Sequence, residues 1–162
     1  MQTHWHPLRI YLDTCCLSRF FGGQAQTRIR QETEVIRWII FHFRAGRWVW
    51  ISSDALIDEV ERNRDLDQRF QIISWLAEAH QTVAVGVNEI ARGKQLEVLS
   101  FEELDALHLT CSESGSVDIF LTTDDGLLGK AKRDSSRIHV HVENPCTWFQ
   151  EMTENERTRD DR

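Results

Sequence analysis

Five short apolar runs constrain the fold of this chain more than any other feature. They are LRIYL (8–12), WVWIS (48–52), TVAV (82–85), DIFLT (118–122) and RIHVHV (137–142), and stretches with helical spacing of apolar residues separate them. Short runs rich in β-branched and aromatic side chains read as strands buried on both faces. Strands that alternate with helices are joined by crossovers and run parallel. The expected fold is therefore a three-layer α/β/α sandwich around a mostly parallel five-stranded sheet.

Between the runs, the spacing of Ile29, Ile36, Ile40 and Phe43 predicts a helix from Thr27 to about Ala45, ended by Gly46. Further helices are expected over ALIDEVERN (55–63), over DQRFQIISWLAEAH (67–80) with Phe70, Ile73 and Ala77 on one face, over 88–98, and over DGLLGKAKR (125–133). Ser52, Ser53 or Asp54 can cap the first of these. Ser100 and Glu103 form the pattern of a capping box opening a helix that ends near Gly115. Residues 14–26 read as a loop or short helix.

A chain of 162 residues suffices for one domain with a substantial core, placed at residues 1–150. The stretch EMTENERTRDDR (151–162) lacks apolar periodicity and reads as a polar tail without fixed structure. No apolar stretch is long enough to span a membrane, and the first residues do not form a charged segment followed by an apolar one, so a cytoplasmic protein is expected. Cys15, Cys16, Cys111 and Cys146 show no zinc-ligand spacing and read as reduced thiols. The net charge of −7 argues against a generic nucleic-acid coat. It is uneven: residues 1–50 carry seven Arg against three acids, net +4, leaving −11 elsewhere. The six Trp are expected mostly in the core, with exposed ones available to a dimer.

Carboxylates at the ends of buried elements need a positive neighbour. Asp13 follows the first strand directly, and Asp124 follows the fourth, with Asp125 available to cap the next helix. In open parallel sheets, sites form beyond the carboxyl ends of the strands. Asp105 lies among Leu104, Ala106 and Leu107 and reads as a carboxylate past the first turn of its helix, where the dipole no longer helps. His108, three residues on, is read as a core residue or a support beside the ligands, with a ligand role as the minor alternative. Glu59 borders the inward face set by Leu56 and Val60, whereas Asp58 and Glu61 face solvent. Asp118 sits at the opposite end of its strand and reads as structural. Asp13, Glu59, Asp105 and Asp124 can thus meet at one edge. Such a group repels itself unless a cation intervenes, and all-oxygen ligands suit Mg²⁺ or Mn²⁺. Hydroxyls at Thr122 and Thr123 can support a carboxylate or a phosphate.

YLDT (11–14), SSDALIDEVERN (52–63), LDALHLTCSESGSVDIFLTTDDGLL (104–128) and HVENPCTWF (141–149) together resemble the PIN domain family, including the VapC toxins of toxin–antitoxin systems. The resemblance implies a PIN-like sandwich and Mg²⁺- or Mn²⁺-dependent ribonuclease activity. It implies that Asp13, Glu59, Asp105 and Asp124 fill the four acidic positions, with Asp13, Asp105 and Asp124 on the metal, and that Thr14 and Thr122 line the site. Cys15 stands where many relatives have Asn. The segment 15–32 is longer and richer in Arg than in the smallest toxins; Arg19, Arg28 and Arg30 are its candidate RNA contacts.

The expected function is a metal-dependent endoribonuclease cleaving RNA, the toxin of a pair whose antitoxin would be a small protein; a homodimer is a further expectation. The alternative is a catalytically weak PIN-like module that binds RNA or protein. A response-regulator receiver fits poorly, because the first strand offers only Asp13 and TVAVGVNE offers no Asp.

Overall fold

The computed structural model describes residues 6–162. Trp5 lies outside the described residues. Strand β1 (Arg9–Leu12) leads into α1 (Thr14–Ser18), a 3-10 turn (Arg19–Phe21) and the long α2 (Thr27–Arg44). Then follow β2 (Val49–Ser53), α3 (Asp54–Glu61), α4 (Leu66–Leu76), β3 (Gln81–Val83), α5 (Val87–Val98) and α6 (Glu103–Ser114). The chain ends with β4 (Ile119–Leu121), α7 (Asp125–Arg133), β5 (His141–Glu143) and α8 (Pro145–Asp160).

The five strands form one sheet in the order β3-β2-β1-β4-β5, and every neighbouring pair is parallel. Successive side chains of a strand point to opposite faces. Ile10, Tyr11, Leu12, Ile119, Phe120 and Leu121 are all buried, so helices cover the two central strands on both faces. The order 3-2-1-4-5 also excludes the receiver fold, whose order is 2-1-3-4-5. The chain leaves β1 toward β2 on one side and reaches β4 on the other. The crevice at the carboxyl ends of β1 and β4 is therefore the topological switch point.

Several local expectations change. The Ser100–Glu103 capping box does not form: α6 starts at Glu103 after Glu102, and Ser100 sits in the left-handed region with φ 78°. The turn closing α5 needs that conformation, which removes Ser100 from capping range. Phe70 and Ala77 do not face the core; α4 buries Ile72 and Leu76 instead, and Phe70 is 77% exposed. RIHVHV contributes only its end to a strand, since residues 134–137 form a turn after α7. Asp124, not Asp125, caps α7.

Residues 151–160 continue α8 rather than forming an unstructured tail. Asn144 caps this helix through Cys146 and Thr147, and Pro145 occupies its first turn. Trp148 and Phe149 anchor it against Trp48 and Trp38, with ring centroids 5.4 and 4.8 Å apart. Once nucleated on that aromatic cluster, the helix propagates through an exposed segment rich in Glu and Arg, which favour helix.

Candidate metal centre

Asp13 terminates β1 at the switch point. Its amide donates to the Leu121 carbonyl at 3.0 Å, which joins the ends of β1 and β4. Its Oδ1 accepts from the Thr14 amide at 2.8 Å, capping α1. Its Oδ2 accepts from the Thr122 hydroxyl at 2.8 Å and from the Cys15 thiol at 3.4 Å. Burial raises the Asp13 pKa; the nearby His108 and the Thr122 hydrogen bond oppose the rise, while the Glu59 charge adds to it.

Glu59 reaches the same place from α3. Ser53 caps that helix by accepting from the Leu56 amide at 3.1 Å. The Ser53 hydroxyl also meets the Tyr11 hydroxyl at 2.7 Å, and Tyr11 meets His108 Nδ1 at 2.7 Å. His108 Nε2 lies 2.5 Å from Glu59 Oε2 and 4.0 Å from Asp13 Oδ1. One buried chain, Ser53–Tyr11–His108–Glu59, thus crosses from β2 through β1 and α6 to α3. Burial holds the Tyr11 phenol well above its ordinary pKa, so it acts as a neutral hydroxyl. Burial lowers the His108 pKa, but the hydrogen bond to Glu59 and the charges of Asp13, Glu59 and Asp105 outweigh it and leave the net shift upward.

Asp105 is half-buried and occupies the first turn of α6, not a position past it, because the helix starts two residues later than a Ser100 cap would place it. The helix dipole therefore favours its charge. Its pKa still rises to about 6, first through burial and then through the charges of Asp13 and Asp124. Asp124 is exposed, and its Oδ1 accepts from the Gly126 and Leu127 amides at 2.9 and 3.2 Å. Its own amide donates to Thr122 Oγ1 at 3.1 Å.

The structure thus brings the four anticipated acids to one edge. It also adds His108: donor atoms of Asp13, Glu59 and His108 lie within 4.8 Å of one another. Thr14 Oγ1 is buried there without a hydrogen-bond partner. Asp118 stays at the far end of the sheet, where it accepts from the Arg9 amide at 2.8 Å. Two of the three arginines named as RNA contacts are engaged within the protein. Arg28 makes a bidentate pair with Asp125 at 2.7 and 2.8 Å. Arg19 pairs at 3.0 Å with Glu32, a nearly fully buried carboxylate that also accepts from the Asn144 amide group at 2.8 Å. Arg30 is exposed and has no ion pair among the described residues.

Raised pKa values have a consequence for the metal-free protein. The stability linked to protonated Asp105 is present below the ordinary carboxylate pKa and is lost as pH rises through about 6. His108, also raised, adds stability that is lost as pH rises past its folded value. Chelator-treated protein should therefore lose stability as pH rises from the ordinary carboxylate range through about 6, and Asp105→Asn should flatten that decline. Urea midpoints across this range check it; identical slopes in the two proteins would contradict the charge arrangement.

Comparison with solved structures gives the same chain path. FitAcB from Neisseria gonorrhoeae matches with a TM-score of 0.53 at 16% identity, covering 84% of this chain and 97% of that one. VapBC2 from Rickettsia felis, solved bound to a DNA fragment from its promoter, matches with a TM-score of 0.52 at 13% identity, covering 85% of this chain and 98% of that one. The fold is PIN-like. No protein-family model matches the sequence, and no curated protein matches it. Within this PIN-like fold, no described helix is long and apolar enough to cross a membrane.

Proposed function

We propose that the chain is a divalent-metal-dependent endoribonuclease, with a protein partner as in a toxin–antitoxin pair. The observation that carries the reading is the convergence of Asp13, Glu59 and His108 at the switch point, with Asp105 and Asp124 beside them. The donor set fits a divalent ion: carboxylates that raise the pKa of Asp105 gain most from a cation between them. Asp13, Asp105 and Asp124 would hold Mg²⁺ or Mn²⁺. Such an ion would activate a water and offset charge on the leaving oxygen of a phosphodiester.

The remaining work falls to the protein. Thr122 and the Thr14 amide fix the Asp13 carboxylate in one rotamer, so the centre is preorganised. Glu59, 31% exposed at its side chain, is the carboxylate placed to accept a hydrogen bond from the attacking water and orient it. Arg30, exposed and without an ion pair among the described residues, is the candidate contact for the RNA backbone, while the Arg28–Asp125 pair braces α2 against the start of α7. Exposed Leu66 and Phe70, beside a groove of about 640 Å³ that Ile73, Glu61 and Arg69 also line, support an antitoxin or a second copy as partner. The cytoplasm is the compartment this reading requires.

Incubation of the purified chain with an RNA oligonucleotide tests the proposal. Cleavage with Mn²⁺ or Mg²⁺, none with chelator, and none of the matching DNA are expected. RNA binding without cleavage under every metal condition would favour the alternative of a PIN-like binding module.

A further inference from the structure

We propose that His108 is itself a metal ligand, through Nε2, and that it turns an acidic centre into one that prefers Mn²⁺ or a similar transition ion over Mg²⁺. This inference rests on the metal centre proposed above and specifies its selectivity. His108 directs Nε2 toward two carboxylates, at 2.5 Å from Glu59 and 4.0 Å from Asp13, so its ring nitrogen shares one small volume with the anionic donors. The ring is almost wholly buried, at 1% exposure, and α6 fixes its backbone.

Its other nitrogen is already served. The Tyr11 hydroxyl sits 2.7 Å from Nδ1 and continues to Ser53 Oγ at 2.7 Å. In the metal-free protein Nε2 donates to the Glu59 carboxylate; with Nδ1–H donating to Tyr11 and Tyr11 donating to Ser53, loss of the Nε2 proton would leave that nitrogen's lone pair for an ion. A hydrogen bond on the far nitrogen is how proteins set the tautomer and angle of a metal-ligating imidazole. An ion held by Asp13 and the aspartates beside it would take Nε2 in place of the Glu59–His108 contact, leaving Glu59 free for the attacking water.

The choice of ion follows from ligand chemistry. Mg²⁺ demands oxygen ligands and gives up its waters reluctantly, so an imidazole adds little to its binding. Imidazole nitrogen suits first-row transition ions, whose affinity for mixed nitrogen and oxygen sites is higher.

Pulsed electron paramagnetic resonance of the full chain loaded with Mn²⁺ tests this directly. The echo of the wild-type protein should carry ¹⁴N modulation that changes to the ¹⁵N pattern when histidine is isotopically labelled. Calorimetry should show that His108→Gln weakens Mn²⁺ binding by about tenfold or more, while Mg²⁺ binding changes by less than about threefold. If His108→Gln does not fold, His141→Gln decides the matter. His141 is exposed on β5, beside Glu143 and Glu151, and loss of the nitrogen signal in that variant would move the ligand there and overturn the proposal. Mn²⁺ bound without any nitrogen modulation would remove His108 from the ligand set and leave the carboxylate centre standing. No Mn²⁺ or Mg²⁺ binding at all would remove the centre itself.

Discussion

Asp13→Asn abolishes metal-dependent cleavage, lowering the rate at saturating Mn²⁺ by at least about a hundredfold, more than loss of an outer support of a metal site costs. The side chain keeps its shape, so the fold survives. Asparagine can still accept from the Thr14 amide through its oxygen, and its NH2, in place of the second oxygen, can donate to the Thr122 hydroxyl, reversing the direction of that hydrogen bond. What disappears is a buried negative charge, and the metal-free variant should be no less stable than the wild type, because burial disfavours that charge. The decisive combination is lost cleavage and weakened Mn²⁺ binding at an unchanged urea midpoint. Asp105→Asn should show the same loss. Cleavage at the wild-type rate in both variants would end the nuclease assignment.

Phe120→Ala lowers stability by about 3–5 kcal/mol, a large share of what a domain of this size has. Phe120 is fully buried in β4 and lies over Tyr11 with ring centroids 5.1 Å apart and planes 14° from parallel. Removing the ring leaves a cavity beside Tyr11 on one face of the sheet, walled by paired strands that cannot collapse into it without breaking the ladder. The same cavity frees the Tyr11 ring, whose hydroxyl orients His108. The variant should therefore lose both urea stability and Mn²⁺ affinity, whereas a remote core truncation such as Leu76→Ala should lose stability alone. Equal Mn²⁺ affinity in wild type and Phe120→Ala would show that the Tyr11–His108 link does not govern the centre.

The frame of the fold was legible because the central strands carry their signal locally. LRIYL and DIFLT are apolar on both faces, and the acid after each marks the carboxyl edge of a parallel sheet. Asp13 and Asp124 were readable for that reason. The helix start corrects the premise that points to Asp105: it sits in the first turn, and its burial, followed by the charges of Asp13 and Asp124, sets it apart. In sequence, a histidine on an apolar helix face looks like core until its partners are known, and His108 is such a residue. Those partners, Tyr11 and Glu59, lie 97 and 49 residues away in sequence. The same distance hides the engagement of Arg28 by Asp125, 97 residues on. Phe70 was misassigned because several hydrophobic residues of α4 compete for one face, and only packing against α3 chooses Ile72 and Leu76.

The hydrogen bond from Thr122 to Asp13 spans 109 residues. A chain halted anywhere before Leu121 has the first acid of the centre but neither the carbonyl nor the hydroxyl that fixes it. During translation the amino-terminal half must wait for β4 to leave the ribosome before any of this chemistry can be assembled. If the proposed reading holds, a nascent chain of this build would be inert until β4 has been made, and a restraining partner would have no assembled centre to cover before then.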